Sequence, residues 1–132
     1  MEEIQIKTRN RIEMIDITPL VNAVVNKSGV KNGVCIVFIP HTTAAITINE
    51  NADPDVMHDI LAELNKIIPL QDNYRHGEGN SAAHIKSTVT GCSQTVLIEN
   101  GTLQLGTWQS LFLCEFDGPR NRKAWIKIVK GA

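Results

Sequence analysis

The chain has 132 residues, of which 42% are hydrophobic and 20% are charged, an ordinary composition for a globular protein. Thirteen basic residues stand against 14 acidic ones, and no block of Lys or Arg occurs, which argues against a nucleic-acid partner because such proteins usually carry a basic patch. The length predicts a single domain over residues 1–132, and no segment approaches the ~18 consecutive apolar residues that suggest a membrane span.

The first half of the chain predicts four strands and two helices. Alternating apolar residues in EIQIKT and RIEMIDIT indicate two half-buried strands. Thr18 followed by Pro19 is typical of a helix N-cap and first helical position, so PLVNAVVNKSG should form a helix that ends at Gly29. GVCIVFIP is apolar on both faces and predicts a central strand, and TTAAITINE alternates again. Asp53 and Pro54 repeat the N-cap pattern before the most strongly periodic segment of the chain.

The second half predicts one short helix and four strands. QDNYRHGEGN is polar and irregular, whereas SAAHIKSTVTG should form a short helix ending near Gly91. Asn100 and Gly101 between two apolar runs are a strong signal of a type I′ hairpin, and WQSLFLCEF and AWIKIVK predict two further strands. The order β-β-α-β-β-α-α-β-β-β-β predicts an α+β fold, a compact and mostly antiparallel β-sandwich with helices packed on one side.

The three cysteines indicate a reducing compartment. None lies in a C-x-x-C pair, and Cys35 and Cys114 fall within apolar runs, where cysteine usually acts as a small buried hydrophobe. The first ten residues contain no apolar signal core. We therefore expect a cytoplasmic protein.

The histidines are the first candidate site. His76 and His84 bracket a glycine-rich turn, and His41 directly follows the predicted central strand. Imidazole is the commonest protein ligand for zinc, and three histidines with one open coordination position form a typical catalytic site. The spacing matches no known zinc pattern, so a hydrogen-bonded or catalytic cluster and unrelated polar histidines are alternative interpretations. His58 lies beside the apolar arc of its helix and is interpreted as a boundary residue.

The glycine-rich segment GEGNSA, which starts at Gly77, imitates a dinucleotide-binding fingerprint. That fingerprint requires a preceding buried strand within a β-α-β unit, and neither is present. The backbone N–H groups of such a turn can still bind an anion. The structural alternative is a tight turn that needs a positive φ angle.

A third cluster lies in EFDGPRNR, where Asp117 begins a turn and Arg120 and Arg122 follow at a spacing of two. Guanidinium groups bind phosphate or carboxylate oxygens in a bidentate way. A surface turn in which Asp117 pairs with an arginine explains the same residues. Asn49 and Glu50, at a strand end before a helix, are either site residues or simple caps.

The motifs HTTAAITINEN, HGEGNSAAHIK and GTLQLGTWQSLFLCEFDGPRNRK occur in this order in the chain, which thereby resembles the YjbQ family over nearly its whole length. The resemblance implies a compact α+β sandwich and a homotrimer. Family members are often called secondary thiamine-phosphate synthase enzymes, after a weak activity that joins a pyrimidine diphosphate to a thiazole phosphate. The resemblance does not identify the main reaction.

The residues that match the family motifs include those singled out above, and we assign each an expected role. The expected ligands of a divalent metal are His41, His76 and His84. His84 and Glu50 are the expected proton-handling groups. The expected contacts to a phosphorylated substrate are Thr42, Thr43, Asn49, Gly77, Glu78, Asn80, Gln109, Asp117, Arg120 and Arg122.

Zinc is the expected metal because the ligands are histidines, with Mg²⁺ in its place if the reaction releases a diphosphate. The carboxylate-rich site that Mg²⁺ prefers is not evident, so the thiamine-phosphate activity is expected to be incidental.

Two functions follow from these residues. One is an enzyme that acts on a small phosphorylated metabolite; the other is a non-catalytic trimeric module that binds a metabolite or metal. A third interpretation is that the histidines only stabilise a trimer interface.

Overall fold

The computed structural model describes all 132 residues, and its elements follow the predicted order. The strands are β1 (Glu2–Lys7), β2 (Glu13–Asp16), β3 (Gly33–Phe38), β4 (Ala44–Glu50), β5 (Ser93–Glu99), β6 (Thr102–Leu103), β7 (Gln109–Glu115) and β8 (Asn121–Lys130). The helices are α1 (Thr18–Ser28), α2 (Pro54–Ile67) and α3 (Ser81–Thr90).

The strands form two antiparallel sheets. The larger sheet has the order β1-β8-β3-β5-β6, and the smaller sheet has the order β2-β7-β4. Every strand pairing is antiparallel. The predicted α+β class with a mostly antiparallel sandwich is therefore confirmed.

The main hydrophobic core lies between the inner faces of the two sheets, because strand residues two apart point to the same side. It is closed by α1, which contributes Val21 and Val25. The larger sheet supplies residues such as Val37, Ile98 and Ile126, and the smaller sheet supplies Ile46, Leu111 and Leu113. A second, small cluster on the outer face of the smaller sheet packs Ala45, Cys114 and Phe116 against Ala83 of α3.

Two cysteines behave as the sequence predicts. Cys35 and Cys114 are buried free thiols, and burial raises the pKa of Cys35 to about 11 and that of Cys114 to about 12. Both thiols are therefore protonated and unreactive near neutral pH, since the thiolate is the nucleophile. Cys92 is also free, and it is exposed.

Two local signals are confirmed. The Asp53 carboxylate caps α2 by accepting a 2.9 Å hydrogen bond from the backbone N–H of Asp55. Asn100 and Gly101 have φ angles of 52° and 75° in the turn that joins β5 to β6, as a type I′ hairpin requires.

The predicted N-cap at Thr18 is wrong by one residue. Helix α1 already includes Thr18, and its N-cap is Ile17, which makes no side-chain capping bond. The Thr18 hydroxyl instead accepts a 2.8 Å hydrogen bond from the backbone N–H of Leu111. A tertiary contact to β7 therefore replaces the local cap.

Helix α2 lies on the surface of the chain. None of its residues is buried, although its apolar side is partly covered by the second cluster through Leu61 and Leu64. Ile67 near its C-terminal end is 63% exposed. No helix of the protein combines the length and the apolar character needed to cross a bilayer.

The two faces of β5 allow a matched test of the core. Ile98 is 1% exposed, whereas its neighbour Leu97 is 59% exposed. We expect Ile98→Ala to lower the free energy of unfolding by about 2–5 kcal/mol, because truncation leaves a cavity. Leu97→Ala should change it by less than about 0.5 kcal/mol. Urea denaturation measures both, and equal losses would contradict the assignment of a solvent-facing outer surface to β5.

Candidate functional site

One open pocket of about 710 Å³ collects most of the candidate site residues. It lies where β3 ends, beside the turn before α3 and the start of β8. We call it the histidine pocket. Its polar lining includes His41, Thr42, Thr43, His76, Glu78, Asn80, His84, Arg120 and Arg122.

His41 is held by β8 of the larger sheet. Its Nε2 atom accepts a 2.9 Å hydrogen bond from the backbone N–H of Lys123, so in the neutral ring the proton lies on Nδ1. Partial burial lowers the pKa of His41, and the positive charge of Arg122 lowers it further, while Glu115 opposes this change. His41 is therefore a neutral imidazole at pH 7, with one nitrogen already occupied as an acceptor.

His76 and His84 form a pair of adjacent rings in the pocket. Their ring centroids are 5.4 Å apart and the ring planes are nearly perpendicular, at 88°. Two imidazoles on one tetrahedral zinc have ring centres roughly 5 Å apart, because each Zn–N distance is about 2.0–2.1 Å. The pair therefore has a separation that suits a shared metal ion.

A complete three-ligand metal centre is not preassembled in the chain. No group of three or more His, Cys, Asp or Glu side chains is placed so that it could hold a metal ion. For Nε2 of His41 to join His76 and His84, it would have to release the Lys123 N–H. The three-histidine site remains a prediction, and the His76–His84 pair is the part of it that this geometry favours.

The turn from Gly77 to Asn80 borders the pocket and exposes its backbone donors. None of the four N–H groups in this turn makes a hydrogen bond to another part of the chain. Gly79 has the positive φ angle, 79°, that the structural interpretation of the glycines required, whereas Gly77 does not. Glu78 and Asn80 line the pocket, but Gly77 does not. Free N–H groups next to a helix start can bind an anion.

Asp117 does not line the pocket, but it positions two residues that do. Its Oδ2 atom accepts hydrogen bonds of 2.9 Å from Asn80 Nδ2 and 2.9 Å from Arg120 Nη2. Arg120 also donates from Nε to the Asp117 carbonyl at 2.8 Å, and about half of its side chain remains exposed. The predicted Asp117–arginine pair is present, and it orients the Arg120 guanidinium toward the pocket rather than removing it from solvent.

Arg122 is engaged beneath the pocket in a buried ion pair with Glu115. Its Nε donates to Glu115 Oε1 at 2.9 Å and its Nη2 donates to Oε2 at 2.5 Å. Nη2 also donates to the carbonyl and the hydroxyl of Thr43. The Glu115 carboxylate accepts two more hydrogen bonds, one of 2.8 Å from the Thr8 hydroxyl and one of 3.0 Å from the backbone N–H of Asp117. Of the Arg122 nitrogens, only Nη1 makes no hydrogen bond within the chain.

Glu115 is an important residue that the sequence analysis included in the third cluster but gave no role. It is fully buried. Its position on β7 alternates with Leu111 and Leu113, which are also fully buried, and this alternation was the available signal. Burial alone would raise the pKa of Glu115, but hydrogen bonds from Arg122, the Asp117 N–H and Thr8 outweigh it and hold the pKa below its usual value.

Gly118 allows this arrangement to close. A Cβ atom there would overlap the backbone carbonyl of Asn10 and would lie 2.8 Å from Cγ of Glu115. Contacts this short do not occur between real atoms, so a larger residue would displace the Glu115 carboxylate. The glycine of the DGPR turn is therefore explained by close packing.

Three candidate residues lie away from the histidine pocket within one chain. Glu50 pairs with Gln109 at one end of the smaller sheet, and Asn49 lies beside them. Ala44 pairs with Glu115 at the other end of the same strands, six residues from Glu50 and therefore roughly 20 Å along the strand. Gln109 Oε1 accepts a 2.7 Å hydrogen bond from Gly106 N–H, which closes the turn before β7.

Comparison with known proteins identifies close relatives along the whole chain. The model of the family described as UPF0047 protein YjbQ-like matches residues 2–131. A UPF0047 protein of Methanocaldococcus jannaschii is 54% identical over 95% of this chain and 91% of its own length. The UPF0047 protein YugU of Bacillus subtilis is 52% identical over 98% of each chain.

Solved structures share the same fold. A crystal structure from Clostridium acetobutylicum, of an uncharacterized conserved protein of the YjbQ/UPF0047 family, superposes with a TM-score of 0.96. It is 56% identical over 98% of this chain and 100% of that chain. A YbjQ-like protein of unknown function from Sulfolobus solfataricus has a TM-score of 0.94 at 36% identity, over 98% of this chain and 96% of its own.

The buried ion pair generates a first test of the site. We expect Arg122→Met to lower the free energy of unfolding by about 3–5 kcal/mol at neutral pH, because it leaves a buried carboxylate unpaired. The double variant Arg122→Met/Glu115→Gln should recover about 2 kcal/mol or more, since the amide carries no charge. Arg120→Met is the matched control, and its half-exposed pair should cost less than about 1 kcal/mol. Urea denaturation measures all three, and equal losses for the two arginines would contradict the assignment.

The lowered pKa of Glu115 generates a second test. Its stabilising contribution is fully present above the ordinary carboxyl pKa of 4.5 and is lost as the pH falls through the lower value of the folded state. We therefore expect the stability of the parent protein to fall relative to Glu115→Gln between about pH 4.5 and about pH 3. Unfolding experiments across that range measure the difference. A difference that stays constant down to about pH 3 would show that the folded-state pKa is not lowered.

Proposed function

The chain belongs to the UPF0047 protein YjbQ-like family, and from this premise we propose that it is an enzyme acting on a small phosphorylated substrate in the histidine pocket. Thiamine-phosphate synthesis is a secondary activity in this proposal, and the main reaction uses the same residues. One observation carries it. Three histidines and two arginines line a single pocket beside a turn with four free N–H groups.

The phosphate of the substrate binds between Arg120 and the turn from Gly77 to Asn80. Arg120 is oriented by Asp117 and half-exposed, so it can donate to phosphate oxygens without breaking a buried contact. The free N–H groups of the turn supply neutral donors on the other side. Nη1 of Arg122 and the hydroxyl groups of Thr42 and Thr43 lie on the same pocket wall.

When no metal occupies it, His84 is the proposed proton-transfer residue, because it lies in the pocket on the first turn of α3, a rigid platform. A positioned imidazole can act as a general acid or base near neutral pH. His41 has a different part in the proposal. Its Nδ1–H can donate to a substrate oxygen, since Nε2 is occupied by the Lys123 N–H.

A divalent metal, with zinc favoured, would be held by His76 and His84, with His41 as a third ligand if its ring turns away from Lys123. When bound, such an ion supplies positive charge that stabilises a phosphate or diphosphate oxygen. The residues fit in ligand type and in the spacing of the pair. Glu50, the other proposed proton-handling group, can take part only if a second subunit of the expected homotrimer brings it to the pocket.

The expected cytoplasmic location and the absence of nucleic-acid and membrane partners also remain part of this proposal. They are supported by the buried free thiols and by the near-neutral charge. A non-catalytic trimeric module that binds a metabolite or metal is the competing function.

The proposal is tested by one set of variants of untagged protein. His76→Ala, His84→Ala and Arg120→Met remove groups of the histidine pocket, and His58→Ala is the control because its side chain is 77% exposed on α2. We expect thiamine-phosphate formation from its pyrimidine diphosphate and thiazole phosphate precursors to fall about tenfold or more in the three pocket variants. The control should keep the parent activity.

Metal content by mass spectrometry on the same samples separates the parts of the proposal. About one zinc per subunit in the parent, lost in His76→Ala and His84→Ala but kept in His58→Ala, supports the metal site. Unchanged activity in all pocket variants would rule out this pocket as the active site. Binding of inorganic phosphate without any turnover of phosphorylated compounds would favour the non-catalytic module.

A further inference from the structure

A buried lysine on the other side of α3 has no acidic partner. Lys86 is 2% exposed, and its ammonium group makes one hydrogen bond, a 2.5 Å contact from Nζ to the amide oxygen of Asn65 on α2. No Asp or Glu carboxylate lies within 4.0 Å of it. An ammonium removed from water is stable only when hydrogen bonds and opposite charge replace its hydration.

A second cation increases this imbalance. Arg11, in the segment before β2, lines the same cavity as Lys86. Arg11 also makes no ion pair in the chain. Two cations therefore face one region that contains no compensating anion.

A cavity of about 310 Å³ adjoins both cations. The rest of its wall is mostly apolar and includes Ile12, Leu70 and Phe116. Asn80 also lines this cavity, and its Oδ1 atom is buried without any hydrogen-bond partner. A volume of this size lies at the lower end of the range typical of small-molecule sites.

We propose that this cavity, which we call the Lys86 cavity, binds a small organic carboxylate. The carboxylate accepts from Lys86 and Arg11, and the apolar body of the ligand contacts Ile12, Leu70 and Phe116. A hydroxyl or amide donor on the ligand would satisfy Asn80 Oδ1. The apolar wall favours a monoanion with a hydrophobic body over a free, fully hydrated phosphate ion.

The Lys86 cavity is separate from the histidine pocket, and the two share only Asn80. The other end of the Asn80 amide donates to Asp117, which orients Arg120. A ligand that donates a hydrogen bond to Asn80 Oδ1 would therefore contact the residue that helps to fix Asp117, and Asp117 in turn orients the Arg120 guanidinium of the histidine pocket. The inference itself does not rest on the proposed function, because binding is measured without turnover.

The test uses the full-length protein and benzoate, a carboxylate with a compact apolar body. Isothermal titration calorimetry near pH 7 should show saturable binding of benzoate, with little binding of benzyl alcohol, which lacks the charge, or of inorganic phosphate, which lacks the apolar body. Lys86→Met removes the charge and keeps an apolar stem, and it should weaken benzoate binding about tenfold or more. Lys66→Met, an exposed lysine on α2, is the matched control and should leave binding unchanged.

Arg11→Met gives an independent variant, because Arg11 is exposed and its loss should not affect folding. It should weaken benzoate binding about two- to fivefold. Binding that is equal in the parent, Lys86→Met and Arg11→Met would overturn the proposal. It would also be overturned if the parent shows no saturable binding of benzoate. If Lys86→Met then also changes the oligomeric state in analytical ultracentrifugation, a second copy of the chain supplies the missing acid.

Discussion

The buried ion pair between Glu115 and Arg122 is the interaction on which the candidate site depends. Glu115 ends β7 of the smaller sheet, and Arg122 lies in β8 of the larger sheet, so the pair joins the two sheets at one end of the sandwich. Thr8, just after β1, and Thr43, just before β4, bond to the same pair. Three regions that are distant in sequence, around Thr8, around Thr43 and from Glu115 to Arg122, are thus held at the base of one pocket.

This arrangement also divides the charged residues of the DGPRNR segment into two roles. Arg122 is neutralised by Glu115 below the pocket, whereas Arg120 is held by Asp117 at its rim and remains partly exposed. Side chains two residues apart on a strand point to the same side, but Arg120 lies in the turn before β8 and Arg122 lies within the strand. Arg120 is therefore half-exposed, whereas Arg122 is buried. The positive charge that a ligand could meet therefore comes mainly from Arg120, while Arg122 acts on the pocket through the lowered pKa of His41.

Most of the fold could be predicted from the sequence because its signals are local. The alternation of apolar residues defined the strands, Asp53 and Pro54 defined the start of α2, and Asn100 with Gly101 defined the hairpin. Thr18 shows the limit of such signals. Its type and its neighbour favour a cap, yet its hydroxyl bonds to Leu111, which is 93 residues away, and a tertiary hydrogen bond replaced the local one.

The candidate site shows the same division between local and long-range information. By itself the sequence determined the strand and helix order, the buried cysteines, the family resemblance and the residue types of the site, since each depends on periodicity, turn chemistry or motif. Only the tertiary structure decided that His76 and His84 face each other, that His41 accepts from Lys123, and that Glu50 lies at the far end of the smaller sheet. Only the tertiary structure showed that Glu115 forms a buried ion pair with Arg122, whereas Lys86 is buried without an acidic partner. The physical reason is that pairing, burial and hydration depend on which distant segments meet, and sequence spacing does not specify those distances.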